Sequence, residues 1–181
     1  MNLPTYSTLF LDRDGIINER IIGGYVQTPE QLLVRPDFIA AMKIMHPLFK
    51  YVIVVTNQQG IGKKLMSEND LFAVHHYLQQ QLFVHDIKID AIYYCPHLRQ
   101  HACACRKPQV GMIQQACRDF PDIDLSLSLV VGDSLSDIQL GQKAGTKTAF
   151  AGDDLPPDLK NQQPDYHVKT MTELAKILIA K

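Results

Sequence analysis

The chain has 181 residues, 46% hydrophobic and 20% charged, with a formal net charge of −1, an ordinary soluble composition long enough to bury a core without disulfides. Near-zero charge argues against a nucleic-acid partner, and the longest strongly apolar run, residues 51–55, is far shorter than the roughly 20 residues of a membrane span. No basic segment followed by a long apolar stretch precedes Asp12, so the expectation is one cytoplasmic domain over residues 1–181, monomeric and without a membrane partner.

Residues 8–11 predict the first strand. Phe38, Ala41, Met42, Met45 and Phe49 recur at spacings of three and four, which predicts one helix face. Residues 51–55 are β-branched and predict a second strand. Ser67 to Asp70 has the form of a capping box, from which Leu71, Val74, Leu78 and Leu82 continue a helix. Residues 90–94 predict a third strand, 110–120 a helix, and 129–131 a fourth strand running into Gly132-Asp133. Residues 138–144 predict a short helix stopped by Gly145, and 146–150 a fifth strand. Tyr166–Val168 predicts an edge strand, and Thr170 to Glu173 a capping box for a closing helix through Ile179.

Strands alternating with helical segments imply an α/β, Rossmann-like, mostly parallel sheet with helices on both faces. Ligands of such sheets sit beyond the carboxyl ends of the strands. Asp12, Thr56, Cys95 and Asp133 all stand at or just past a strand end, so chemistry scattered along the chain should converge in space.

Asp12-Arg13-Asp14-Gly15 follows the apolar stretch Leu9-Phe10-Leu11. Carboxylates two residues apart at a strand end share a side. The pattern suits phosphate-ester cleavage, in which Asp12 attacks phosphorus and Asp14 moves the proton. A carboxylate approaching a phosphate dianion needs a cation between them, and Mg²⁺ held by carboxylates is the natural one. Asp133 can supply a second carboxylate and Asp137, one helical turn on, can support the metal from outside. Taken alone, Asp133 or Ser136 reads equally well as a cap of the following helix. Crowding by Asp12 and Asp133 should raise the Asp14 pKa, against the pull of a bound metal. Thr56 offers a hydroxyl and Asn57 an amide to a phosphoryl oxygen; Lys107 offers a point charge and Arg106 a planar fork for a second anionic group. Residues 91–118 contain no Asp or Glu, a local positive stretch suited to an anionic small molecule. Gly60-Ile61-Gly62-Lys63-Lys64 fails the P-loop spacing, so ATP binding there is rejected.

Cys95, His97, Cys103 and Cys105 lie within eleven residues. Three thiolates and one imidazole form a closed tetrahedral Zn²⁺ set, structural rather than catalytic. A zinc-pinned loop over residues 95–105 should hold Arg106 and Lys107 over the site. Cys117 stands apart as a buried thiol.

Leu11 to Gly15, Val55 to Gln58, Cys105 to Pro108 and Gly132-Asp133 with Asp137 resemble the four motifs of the haloacid dehalogenase superfamily of phosphatases, over nearly the whole chain. The cysteine loop is similar to its small zinc-loop branch, whose members act on D-glycero-D-manno-heptose 1,7-bisphosphate or histidinol phosphate. The resemblance implies a phosphoric monoester hydrolase working through an aspartyl-phosphate on Asp12, with Asp14 as acid and base. It implies Mg²⁺ held by Asp12, the Asp14 main-chain carbonyl and Asp133, and a core without a large cap domain. Gly24-Tyr25-Val26, Gly111-Met112 and the residues after Asp133 are more similar to the heptose enzymes; the five-residue gap from His97 to Cys103 is more similar to the histidinol-phosphate enzymes. Gly24 and Tyr25 are the implied substrate contacts. Ile16 and Ser134 depart from residues common in the heptose enzymes (Thr and Lys), and residues 19–23 include a short insertion. The reading from another class is a phospho-receiver switch, which has no use for a base beside its aspartyl-phosphate.

Overall fold

A computed structural model describes residues 5–159 and 162–180. Six strands, β1 (Tyr6–Leu11), β2 (Phe49–Asn57), β3 (Ala91–Cys95), β4 (Leu129–Gly132), β5 (Lys147–Ala151) and β6 (Tyr166–Val168), form one parallel sheet in the order β3-β2-β1-β4-β5-β6. The expected Rossmann-like arrangement is therefore observed, with β6 at an edge as anticipated.

The strands alternate sides with period two. Leu9, Leu11, Val52, Val54, Leu129 and Val131 face one layer, built from α1 (Pro36–Met45), α3 (Glu68–Phe83) and α6 (Met171–Ile179). Phe10, Ile53, Val55 and Val130 face the opposite layer, where α4 (Gly111–Asp119) contributes Met112, Ile113 and Ala116, and α5 (Leu135–Ala144) contributes Leu140. Burial on both faces explains why these strands are continuously apolar rather than alternating. A four-residue helix, α2 (Gln59–Gly62), follows β2 directly.

Several boundaries shift. Phe49 does not extend the α1 face; it opens β2, which runs through Asn57, longer than residues 51–55. β3 begins one residue later than expected, because the Asp90 carboxylate turns back to accept from the Val52 amide at 2.9 Å. α5 starts at Leu135, a turn before residue 138, and ends at Gly145 with φ +80°. The Ser67–Asp70 box forms reciprocally. The second box forms only in half: Thr170 Oγ1 accepts from the Glu173 amide at 3.1 Å, but Glu173 accepts from Lys169 rather than Thr170.

From β1 the chain winds outward through β2 and β3; it then returns to β4 on the other side of β1 and winds outward again. The crevice at that reversal lies past the ends of β1 and β4, where Asp12 and Asp133 follow their strands.

Candidate active site

Asp12 is the first residue beyond β1, and its amide still donates to Val131 O at 3.0 Å. Its Oδ1 accepts from the Arg13 amide at 2.7 Å and lies 2.7 Å from Lys107 Nζ. The same Nζ is 2.7 Å from Asp137 Oδ1 and donates to Val55 O at 3.0 Å. Lys107, expected over the site, is thus driven into it and buried, its main-chain amide donating to Asn57 Oδ1 at 3.1 Å. Asn57 holds the lysine in place from the end of β2.

Carboxylate oxygens of Asp12, Asp133 and Asp137 gather within 4.8 Å of one another. Three carboxylates thus face one buried amine. Burial pushes the Asp12 carboxyl up, with Lys107 opposing and Asp137 and Asp133 adding repulsion. Burial likewise pushes Asp133 up to about 6, against the pull of Arg20. Asp12 and Asp137 raise Lys107 despite its burial. Negative charge in surplus, on hard oxygen donors, fits a divalent cation such as Mg²⁺.

Ser134, and neither Asp133 nor Ser136, caps α5; its amide and hydroxyl both donate to Asp137 Oδ2. Asp133 is left to the crevice, where Arg20 Nη2 donates to its Oδ1 at 2.6 Å. Gly132 makes this packing possible, because a Cβ there would lie 2.2 Å from Asp137 Cβ.

Asp14 departs from expectation. Burial acts to raise it, but the Arg13 guanidinium and hydrogen bonds from Asn18, Arg13 and Gln58 outweigh burial and hold the carboxyl below its usual range. Arg13 Nη2 donates to both Asp14 oxygens at 2.9 Å, Asn18 Nδ2 donates at 2.9 Å and Gln58 Nε2 at 3.0 Å. The crowding argument failed because the nearest charge is a cation: Arg13 folds inward, fully buried. Its Nη1 meets His75 Nε2 at 3.1 Å. Burial and the Arg13 charge hold the His75 pKa down to about 3, so the neutral ring accepts that hydrogen bond.

Arg13, Asn18, Gln58 and His75 were not singled out beforehand. Arg13 and Gln58 lie inside recognised motifs, and His75 interrupts the buried stripe Leu71, Val74, Leu78, Leu82 of α3; nothing in the sequence pointed to Asn18.

A cavity of about 300 Å³ opens over these groups, lined by Asp12, Asp14, Thr56, Asn57 and Lys107 together with Arg20, Gly24 and Tyr25. The buried Thr56 hydroxyl accepts from Gln58 Nε2 at 2.9 Å. Sharing Asn57 and Lys107, a second cavity of about 500 Å³ is lined by Arg99, His101 and Arg106. Arg106 Nη1 reaches His97 O at 3.4 Å, so the cysteine loop carries this second fork. Ile16, where a threonine is common, is buried core instead, and Ser134, where a lysine occurs, is the helix cap.

Beside the site, Cys95 Sγ, Cys103 Sγ and Cys105 Sγ form a chain of 3.6 Å contacts, and His97 Nδ1 lies 3.6 Å from Cys95 Sγ and 3.1 Å from Cys105 Sγ. A zinc-centred tetrahedron with bonds of about 2.3 Å has sulfur–sulfur edges of roughly 3.8 Å, so the four donors fit Zn²⁺. Cys117 is half-buried and outside the group.

A family model for HAD-hydrolase-like proteins matches residues 104–174. The D-glycero-alpha-D-manno-heptose-1,7-bisphosphate 7-phosphatase of Mycobacterium bovis is 46% identical over 73% of this chain and 70% of its own. The D-glycero-beta-D-manno-heptose-1,7-bisphosphate 7-phosphatase of Escherichia coli K12 is 33% identical over 94% of this chain and 92% of its own. Among solved structures, D,D-heptose 1,7-bisphosphate phosphatase from B. bronchiseptica, complexed with magnesium and phosphate, is similar with a TM-score of 0.83 and 28% identity, covering 96% of this chain and 98% of that one. Fold, cation-seeking crevice and relatives agree: the chain is a phosphoric monoester hydrolase of the HAD-like hydrolases and belongs to their heptose-bisphosphate phosphatase family.

Proposed function

We propose that the enzyme removes the 7-phosphate of a D-glycero-D-manno-heptose 1,7-bisphosphate, leaving the 1-phosphate. The observation that carries this reading is the surplus of three carboxylates over one buried lysine at the floor of a cavity that opens onto a second, basic one. The relatives named for this substrate support its identity.

In the proposed course Asp14 takes up a proton from solvent as the phosphate dianion enters, against the pull of Arg13; an Asp12 oxygen then forms a bond to phosphorus as the bond from phosphorus to the sugar oxygen breaks, and Asp14 gives that proton to the leaving oxygen. Asp14, now a carboxylate, takes a proton from water; the water oxygen displaces Asp12 from phosphorus, releasing phosphate and restoring both side chains. Lys107 and Thr56 hold the transferred group. Asp12, the Asp14 carbonyl and Asp133 are the proposed Mg²⁺ ligands, with Asp137 supporting them through Lys107. The ion supplies charge neutralisation between carboxylate and phosphate. The Arg13, Asn18 and Gln58 hydrogen bonds orient Asp14 and favour the carboxylate that the second step needs. Gly24, Tyr25, Asn57 and Arg106 are proposed to contact the sugar and its second phosphate. Cys95, His97, Cys103 and Cys105 are proposed to hold structural Zn²⁺, which keeps the loop over residues 95–105 and Arg106 in place. The whole chain is proposed to act as one cytoplasmic, monomeric phosphatase unit on a dissolved sugar phosphate.

The test is turnover of both heptose 1,7-bisphosphate anomers and histidinol phosphate, with Mg²⁺ and with chelator, followed by ³¹P NMR. Loss of the 7-phosphate signal only with Mg²⁺ supports the reading. A strong preference for histidinol phosphate overturns the substrate, and turnover undiminished in Asp12→Asn overturns the mechanism.

A further inference from the structure

Asp133 Oδ1 and the Asp14 main-chain oxygen, two of the three proposed Mg²⁺ ligands, are both held by one atom. Arg20 Nη2 donates to the first at 2.6 Å and to the second at 3.2 Å. The residue lies in the short insertion between the first motif and Gly24-Tyr25, and its side chain remains 47% exposed at the cavity rim. Lys107, the buried amine, is committed to Asp12 and Asp137. Arg20 is thus the cation in direct contact with Asp133.

Mg²⁺ bound by these two oxygens requires contacts of about 2.0–2.1 Å to each. Nη2 stands between the same oxygens, so ion and guanidinium exclude each other from that corner. The loop behind Arg20 carries Gly23 at φ +72° followed by Gly24, and with half its surface in water the arginine can leave without unpacking core.

We propose that Arg20 is a displaceable counter-cation of the divalent-metal corner, occupying it in the metal-free protein and setting the enzyme's affinity for Mg²⁺ by having to be expelled. The proposal rests on the metal assignment made above. Two consequences follow. Removing the arginine charge should tighten Mg²⁺ binding, because the ion no longer competes with an internal cation. It should also destabilise only the metal-free protein, because Mg²⁺ replaces what Arg20 supplied.

Isothermal titration of metal-stripped wild type, Arg20→Gln, Arg20→Lys and Asp133→Asn with MgCl₂ alone tests it, together with melting curves in chelator and in saturating Mg²⁺. A partly exposed ion pair gives an expected tightening of about two- to fivefold in Arg20→Gln. Arg20→Lys should fall between that variant and wild type. The melting temperature of Arg20→Gln should lie below wild type in chelator and match it in Mg²⁺. Mg²⁺ affinity unchanged or weakened in Arg20→Gln, with Asp133→Asn still losing Mg²⁺, overturns the role of Arg20 and leaves the metal assignment standing. Unaltered Mg²⁺ binding in Asp133→Asn overturns the metal assignment itself, and this proposal with it.

Discussion

The Arg13 guanidinium, with no surface exposed, grips both oxygens of Asp14 from inside the protein. The proposed proton-transfer group is thus tied to a buried charge, so catalysis and stability are expected to be coupled at one side chain. Asp14→Asn is expected to lower kcat by about 10²–10⁴. It should also destabilise the fold by about 2–3 kcal/mol, because the arginine is left buried without its carboxylate. Arg13→Met added to Asp14→Asn should recover part of that stability and none of the activity. Urea titrations of the two single variants and the double variant give the coupling; strictly additive losses would break the link.

His75 gives the protein an acid sensitivity of defined sign. Its folded pKa of about 3 lies below the usual 6.5, so between those values the unfolded chain binds the proton and the folded chain refuses it. The stability contribution is complete above about pH 6.5 and is lost as pH falls toward 3, at up to about 1.4 kcal/mol per pH unit. Other titrating groups cancel in the difference between wild type and His75→Gln. Unfolding free energies from pH 7.5 to 5 should converge as pH falls; parallel curves would count against the assignment.

Gly132→Ala tests the packing of α5 on β4. The added Cβ would lie 2.2 Å from both Cβ and Cγ of Asp137, so Asp137 must move and release Lys107. A loss of more than about 3 kcal/mol is expected, a magnitude reserved for overpacking or broken buried networks. Denaturant midpoints check it, and Ala at the exposed Gly23, with nothing within 4 Å of its added Cβ, gives a comparison in which only the positive φ is strained.

For the cysteine loop, elemental analysis should find about one zinc per chain, absent from Cys103→Ser and retained in Cys117→Ser. Loss of zinc should lower the melting temperature and weaken binding of the bisphosphate more than that of a simple phosphate ester, because Arg106 hangs from His97 O. Equal effects on both ligands would separate the loop from substrate recognition.

Much of this architecture was readable beforehand where a signal is local. Strand identities followed from β-branched runs, and the four zinc-type donors from their spacing. Convergence of Asp12, Thr56 and Asp133 followed from the rule that strand ends face one crevice. What escaped depends on side-chain direction. Arg13 carries the same charge whether it points to water or into the core, and it points inward because His75 and Gln58 wait there. Lys107 was expected to hover over a phosphate, yet two carboxylates draw it below the surface. Arg20 sat in an insertion with no pattern to compare it against. Phe49 obeyed helical spacing by chance, since Pro47 already stands between it and α1 in a one-turn 3₁₀ segment.

The reversal of winding at β1 means that the acidic residues of the crevice come from opposite halves of the polypeptide, Asp12 from the early one and Asp133 and Asp137 from the late one. Neither half carries the whole set of proposed metal ligands, so a nascent or proteolysed fragment is expected to hydrolyse no phosphoester. Only docking of late strands against early ones assembles the reactive seam, and hydrolysis itself becomes a readout of finished folding.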